Sequence, residues 1–285
     1  MPIMNQISNN TLALLITMEK IRLCIAGVTG WIGKPLARAV IKSVDFDLVG
    51  GVSRKNSGDD LGKILEIPGF SLTISESVSE ALNKKTDVLI DYTSPDIVKS
   101  NVEKAIDRGV NVVIGTSGLS DSDYEEIDNL SRRKGVGVFA AGNYSVSAAL
   151  ALHFSVIAAR YMKSWEILDF ASDSKIDSPS GTALELGNRL YRVKGPEIEI
   201  AVESTRGYPQ SRGLSLNGIQ THSIRLPGYI IGAEVMFGNS DERLTIRFEG
   251  GSGAEPYIKG TLIAAREVMK INGLVRGMDS LLEKF

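Results

Sequence analysis

The densest concentration of anion-binding chemistry in the chain is Lys175-Ile176-Asp177-Ser178-Pro179-Ser180-Gly181-Thr182-Ala183. Proline is excluded from a helix interior but can open one. Ser180, Gly181 and Thr182 are therefore read as a helix start offering backbone N–H groups and hydroxyls. The positive end of the helix dipole lies at the same place, and Lys175 adds a full charge a few residues upstream. Such a grip suits a carboxylate. A capped helix start beside a surface lysine has the same composition.

A second concentration is Gly27-Val28-Thr29-Gly30-Trp31-Ile32-Gly33, a GxxGxxG run between an apolar strand pattern and a helical one. Glycines there let the backbone turn sharply and approach a pyrophosphate, which the helix N-terminus then receives. The second strand ends in Val52-Ser53-Arg54-Lys55, where an acidic residue would hold a ribose 2′-hydroxyl. A neutral Ser53 followed by two cations favours a 2′-phosphate, with Arg54 as its fork. The expected cofactor is NADPH, with NADH the alternative; a solvated charge pair on a loop is the plainer reading of Arg54 and Lys55. Two further loops end strands: Tyr92-Thr93-Ser94-Pro95 and Gly115-Thr116-Ser117-Gly118. Thr93, Gly115, Thr116 and Ser117 suit a nicotinamide ribose, although plain turns share this composition.

Holding these loops at one sheet edge requires alternating strands and helices. Strands are expected at Ile21–Ala26, Leu48–Val52, Val88–Asp91, Val112–Ile114 and Val136–Ala140. Helices are expected at Trp31–Ser43, Ile97–Arg108 and Asp121–Lys134, the last capped by Ser120. That alternation implies parallel βαβ units. After about residue 146 the pattern changes. A long apolar helix (Val146–Met162), a strand (Glu166–Ala171) and a helix (Ser180–Leu190) precede three consecutive strands at Gly218–Leu226, Tyr229–Phe237 and Arg243–Phe248. Tyr257–Lys270 reads as a closing helix. The expected fold is α/β: a Rossmann-type parallel-sheet domain plus a second α+β domain with a mixed or antiparallel sheet. The dinucleotide-binding domain spans 18–145, with 256–285 returning to it; 146–255 form the substrate-binding and oligomerisation domain. Residues 1–17 are read as either a disordered extension or the result of an upstream start codon, with Met18 the alternative start.

The 285 residues are 43% hydrophobic and 23% charged, with a net charge of -2. This balance gives no footing for nucleic acid or an anionic membrane. No apolar run approaches the roughly 18 residues of a membrane span. One cysteine, Cys24, and two histidines, His153 and His222, make an internal disulfide impossible and a His/Cys metal site improbable. A reducing, cytoplasmic setting and metal-free chemistry are expected.

GVTGWIG, the GTSG loop, Ala141-Gly142-Asn143-Tyr144-Ser145 and KIDSPSGTA stand in the order and spacing of the dihydrodipicolinate reductases, also called 4-hydroxy-tetrahydrodipicolinate reductases. Thr221-His222-Ser223-Ile224-Arg225-Leu226-Pro227-Gly228 and Glu234-Val235-Met236-Phe237 also resemble that family. The resemblance runs from about Lys20 to the C-terminus. It implies hydride transfer from NAD(P)H to a cyclic unsaturated imine dicarboxylate, a step of lysine and diaminopimelate synthesis, in a cytoplasmic homotetramer joined through the second domain. It also implies that Asn143 and Tyr144 join the cofactor loops, and that Ser172, Lys175, Ser180, Gly181 and Thr182 contact the substrate.

One departure bears on mechanism. The family segment before the lysine reads Glu-(small)-His-His-x-x-Lys; here it reads Asp169-Phe170-Ala171-Ser172-Asp173-Ser174-Lys175. The family's assumed proton donor is Ala171, its histidine contact to a substrate carboxylate is Ser172, and a later family histidine is Phe248. A positioned acid contributes about 10²–10⁴-fold, so its loss slows the reaction without forbidding it. Lys175 is then the best remaining catalytic donor, ahead of Asp173, water and His222, while His153 on an apolar helix reads as a core residue. Three readings follow: the family reaction, a reductase of a different imine or carbonyl, and a dinucleotide-binding protein that has lost turnover.

Overall fold

The computed structural model describes residues 19–282; the extension expected over 1–17 lies outside them. The chain divides into two compact units. One holds the residues up to Phe139 together with Ala265–Val275, and the other holds Ala140–Ala264 and the residues from Arg276 onward.

The first unit is built on strands β1 (Ile21–Ala26), β2 (Phe46–Val52), β3 (Val88–Asp91), β4 (Asn111–Ile114) and β5 (Gly137–Ala140), and on the chain's last strand, Gly273–Arg276. They form one six-stranded sheet in the order Gly273–Arg276, β5, β4, β3, β1, β2. β2 and β3 each pair parallel with β1, and β4 pairs parallel with β3. Every residue of β3 and β5 is buried, the mark of strands covered on both faces. The helices are α1 (Gly33–Ile41), α2 (Leu61–Ile64), α3 (Val78–Ala81), α4 (Val98–Asp107) and α5 (Asp121–Lys134). α5 is fixed at both ends by its sequence. Ser120 and Asp123 form a capping box, and Gly135 closes the helix at φ 67°. α2 and α3 were not foreseen. Four residues are too few for a helical period to register, and each is held by a single cap, Asp60 or Ser77.

The second unit carries α6 (Val146–Tyr161), β6 (Ser164–Ala171), α7 (Gly181–Val193), β7 (Leu214–Leu216), β8 (Ile219–Arg225), β9 (Ile231–Gly238), β10 (Arg243–Gly250), α8 (Glu255–Glu267) and, after the strand now labelled β11 (Gly273–Arg276), α9 (Asp279–Leu282). Its sheet runs β10-β9-β6-β8-β7. β6 and β8 are parallel, while β6/β9, β9/β10 and β7/β8 are antiparallel, so the sheet is mixed. Trp165, Ile167, Val235, Phe237 and Phe248 from the sheet pack with Ala159, Leu186 and Leu190 from α6 and α7 in one apolar core. The chain re-enters the first unit at Ala265, inside α8. No described helix is long and apolar enough to cross a membrane.

Candidate functional site

In the first unit the glycine loop is shaped by contacts that leave no room for a side chain. Gly27 has φ 81°, and a Cβ there would collide with the carbonyl oxygen of Tyr92; a Cβ on Gly33 would collide with the carbonyl oxygen of Gly27. Gly30 N–H donates to that same Gly27 carbonyl at 2.9 Å. The loop thus folds back on itself while Val28 is fully buried and Trp31 is exposed. α1 opens at Ile32 with no side-chain cap, which suits a helix whose first N–H groups meet a ligand phosphate. The Thr29 and Ser53 hydroxyls lie 2.8 Å apart, so the loop is tied to the end of β2. Arg54 and Lys55 follow on the surface.

The two hydroxyl loops meet through a residue that the sequence reading did not single out. Asp91, fully buried at the end of β3, accepts from Thr93 Oγ1 at 2.7 Å, Thr116 Oγ1 at 2.7 Å and Asn101 Nδ2 at 2.9 Å. Thr93 N–H also donates to Thr116 Oγ1 at 2.8 Å. The hydroxyls of Thr93 and Thr116 therefore face inward and fix the loops, rather than standing free for a ribose. Gly115 is pressed against the ring of Tyr92, where a Cβ would clash, and Ser117 is exposed. The available signal was an acid closing an otherwise apolar strand, Val88-Leu89-Ile90-Asp91, just before a threonine.

In the second unit Asp169 plays the corresponding part. It is fully buried on β6 and receives the Ser180 N–H at 2.8 Å, the Ser180 hydroxyl at 2.6 Å, Arg225 Nη2 at 2.8 Å and the Ser223 hydroxyl at 3.2 Å. Burial pushes its carboxyl up, but the Ser180 hydrogen bonds and the Arg225 guanidinium outweigh this and hold it below the usual carboxylate range. Arg225 reaches on to the Asp177 carbonyl at 2.9 Å, so one guanidinium binds β6, β8 and the loop before α7 together.

This arrangement corrects the role expected of Ser180. It is buried, it caps α7 by accepting from Ala183 N–H, and both its donors are committed to Asp169. Pro179, reached through a cis peptide from Ser178, precedes the helix rather than opening it. Gly181 and Thr182 form the first helical positions. Gly181 is exposed with open space around its Cα, and Thr182 is partly exposed. Lys175 Nζ pairs with Asp177 Oδ1 at 2.8 Å, which holds the Asp177 carboxyl low. Ser172 is partly exposed beside Ser174, their hydroxyls 2.9 Å apart.

Ala171 is fully buried at the end of β6, paired with Arg225 and Ile231. Phe248 belongs to the apolar core. His222 Nε2 lies 2.8 Å from Glu166, which also pairs with Arg212. His153 is partly buried on α6, with its ring edge-to-face on Phe154 at 5.8 Å, not a core residue as expected. Asn143 accepts from Ser145 N–H at 2.8 Å at the start of α6, and Tyr144 is buried.

Comparison with known proteins agrees with this architecture. Residues 21–144 match the family profile described as "Dihydrodipicolinate reductase, N-terminus", and residues 147–282 match "Dihydrodipicolinate reductase, C-terminus". A 4-hydroxy-tetrahydrodipicolinate reductase of Bacillus velezensis is 34% identical over 93% of this chain and 99% of its own length. One from Desulfitobacterium hafniense is 35% identical over 93% of this chain and its whole length. Among solved structures, a dipicolinate-bound dihydrodipicolinate reductase from Paenisporosarcina sp. TG-14 superposes with a TM-score of 0.82 at 27% identity, covering 92% of this chain and 99% of that one. With its two-unit fold and both family profiles matched along its length, the chain belongs to the dihydrodipicolinate reductase family.

Proposed function

We propose that this protein is an NADPH-dependent reductase of a cyclic, unsaturated imine dicarboxylate, acting as its 4-hydroxy-tetrahydrodipicolinate reductase relatives are named to act, in lysine and diaminopimelate synthesis. The observation that carries this reading is the start of α7. Asp169 and Arg225 spend themselves on rigidifying it, and what it then offers outward is the Gly181 N–H and the Thr182 hydroxyl and N–H, with the Lys175 ammonium on the same short segment. That is an anion grip built on a fixed support. Ser180 supports it from beneath.

The glycine loop fits a dinucleotide: it has a backbone too close-packed for side chains and a helix start without a cap. Gly27, Val28, Thr29, Gly30, Trp31 and Ile32 would hold the pyrophosphate, and Ser53, Arg54 and Lys55 a 2′-phosphate. Gly115 and Ser117 of the first unit would line the nicotinamide end. When bound, the dinucleotide supplies the hydride. Lys175, whose ammonium pairs with Asp177, would contribute positive charge to substrate binding. A homotetramer in the cytoplasm completes the proposal.

The test follows NADPH absorbance on 4-hydroxy-tetrahydrodipicolinate. Wild type should turn it over, and Lys175→Ala should raise KM far more than it lowers kcat, a loss of about 2–5 kcal/mol for a truncated charge pair. One observation favours a second reading: Ala171 and Ser172 leave the end of β6 without an imidazole. A wild type that ignores this substrate but reduces another cyclic imine would establish that alternative.

A further inference from the structure

Glu185 lies one turn beyond Thr182 on α7, at the i+3 position that shares its face. Both side chains line a cavity of the second unit, together with Asn143, Leu152, Val235 and Phe248. The Glu185 carboxyl points at Gly142, where an added Cβ would come to within 3.8 Å of Oε2. Among the described residues no hydrogen bond or ion pair reaches it. Arg189, the nearest cation along the helix, is paired with Asp279 at 3.0 Å instead. Burial in this apolar lining is the main reason the carboxyl is held above its ordinary range. Asp279 adds to the effect, and Arg189 and Arg276 act against it without cancelling it. Among the described residues these three are the charged groups that bear on it, from α7, α9 and the end of β11. A substrate carboxylate held by Thr182 would bring a further negative charge and favour the neutral acid still more.

A partly buried acid with no hydrogen-bond or ion-pair partner among the described residues, on the wall of a cavity that also presents the substrate-gripping threonine, is a proton source in search of an acceptor. We propose that Glu185 is the proton donor of the reduction in this protein. The proposal rests on the function stated above. The 4-hydroxy imine first loses water, its ring C–OH bond and a neighbouring C–H bond breaking to leave a C=C–C=N system, and hydride from NADPH then forms a C–H bond at one carbon of that system. The Glu185 O–H bond breaks and its proton forms a second C–H bond at the adjacent carbon. The C=C bond is consumed, the imine is kept, NADPH becomes NADP⁺, and the Glu185 carboxylate regains a proton from water. Lys175 is left to its charge.

Two readouts test this, one of them without turnover. Calorimetry of dipicolinate binding to the NADP⁺-loaded enzyme, in buffers of different ionisation enthalpy across the neutral range, should show proton uptake in wild type and its loss in Glu185→Gln. On the substrate, Glu185→Gln should lose about 10²–10⁴-fold in kcat with KM little changed, and the fall of kcat at high pH expected of wild type should vanish. Glu185→Asp keeps a titrating group and should recover part of kcat with the high-pH fall intact; it also serves if the Gln variant does not fold. Dipicolinate binding without proton uptake in wild type overturns the proposal. So does a Gln variant that keeps its kcat, or that loses it with the high-pH fall unchanged. A wild type that takes up the proton but reduces no 4-hydroxy-tetrahydrodipicolinate overturns the proposed function and leaves the Glu185 result to be read on the imine it does reduce.

Discussion

Asp91 and Asp169 do the same work in the two units. Each closes or nearly closes an apolar strand, is fully buried, and draws hydroxyls of the following loops inward. A buried carboxylate without donors would be costly; with three or four it becomes a rigid hub. This explains where residue-level reading succeeded and where it stopped. The glycines of the Gly27–Gly33 loop were legible because backbone crowding admits nothing else. Thr93, Thr116 and Ser180 were legible as hydroxyls near a ligand edge but not as hydroxyls already engaged, because the acid that engages Thr116 or Ser180 comes from another element. Arg225 is further still from Asp169 in sequence, and only β6/β8 pairing brings it there. Arg54 stands apart as a cation at the end of β2 with its side chain exposed. Arg54→Ala should weaken NADPH binding by about 1.5–3 kcal/mol, the range for hydrogen bonds to charged groups, and leave NADH nearly unchanged. Calorimetric titration of both cofactors checks this; equal affinities in wild type and variant would refute a 2′-phosphate role.

At the scale of elements, periodicity located the long strands and helices and missed the short ones. α5 declared both its ends through Ser120, Asp123 and Gly135. α7 was expected to start at Ser180 and end at Leu190, and instead uses Ser180 as its cap and runs to Val193. The reason is Asp169, which holds Ser180 in an extended conformation outside the helix. The link from β6 to α7 and β8 is thus one carboxylate. Its native proton affinity is depressed relative to the unfolded chain's ordinary value of about 3.9. Its stabilisation is therefore complete above that value and fades as pH falls towards the native one. Asp169→Asn leaves the partly buried Arg225 guanidinium without its counter-charge and should cost about 3–5 kcal/mol at neutral pH. Thermal unfolding of the two proteins as a function of pH should show the gap narrowing on acidification. Parallel curves would mean that Asp169 carries no special share.

For the whole molecule, the two-unit plan with one parallel and one mixed sheet was legible from the change of pattern near residue 146. What covers the second sheet was not. Leu214 on β7, Met236 on β9 and Leu244 on β10 are all exposed apolar residues of its strands, an arrangement that association of like subunits would bury. Light scattering at micromolar concentration should give four times the chain mass, and a monomer would remove the tetramer from the proposal.

The strand order of the first sheet also has a consequence for synthesis. β11 flanks β5 on the side away from β4, yet it is the last strand of this sheet to be made, after residues 140–264 of the second unit. A chain leaving the ribosome can assemble β1–β5 early, but β5 then stands as an open edge with its outer N–H and C=O groups unpaired. That edge is sealed only when Gly273–Arg276 emerge. Until then the nascent protein carries a sticky border that a neighbouring nascent chain, or a chaperone, can reach first.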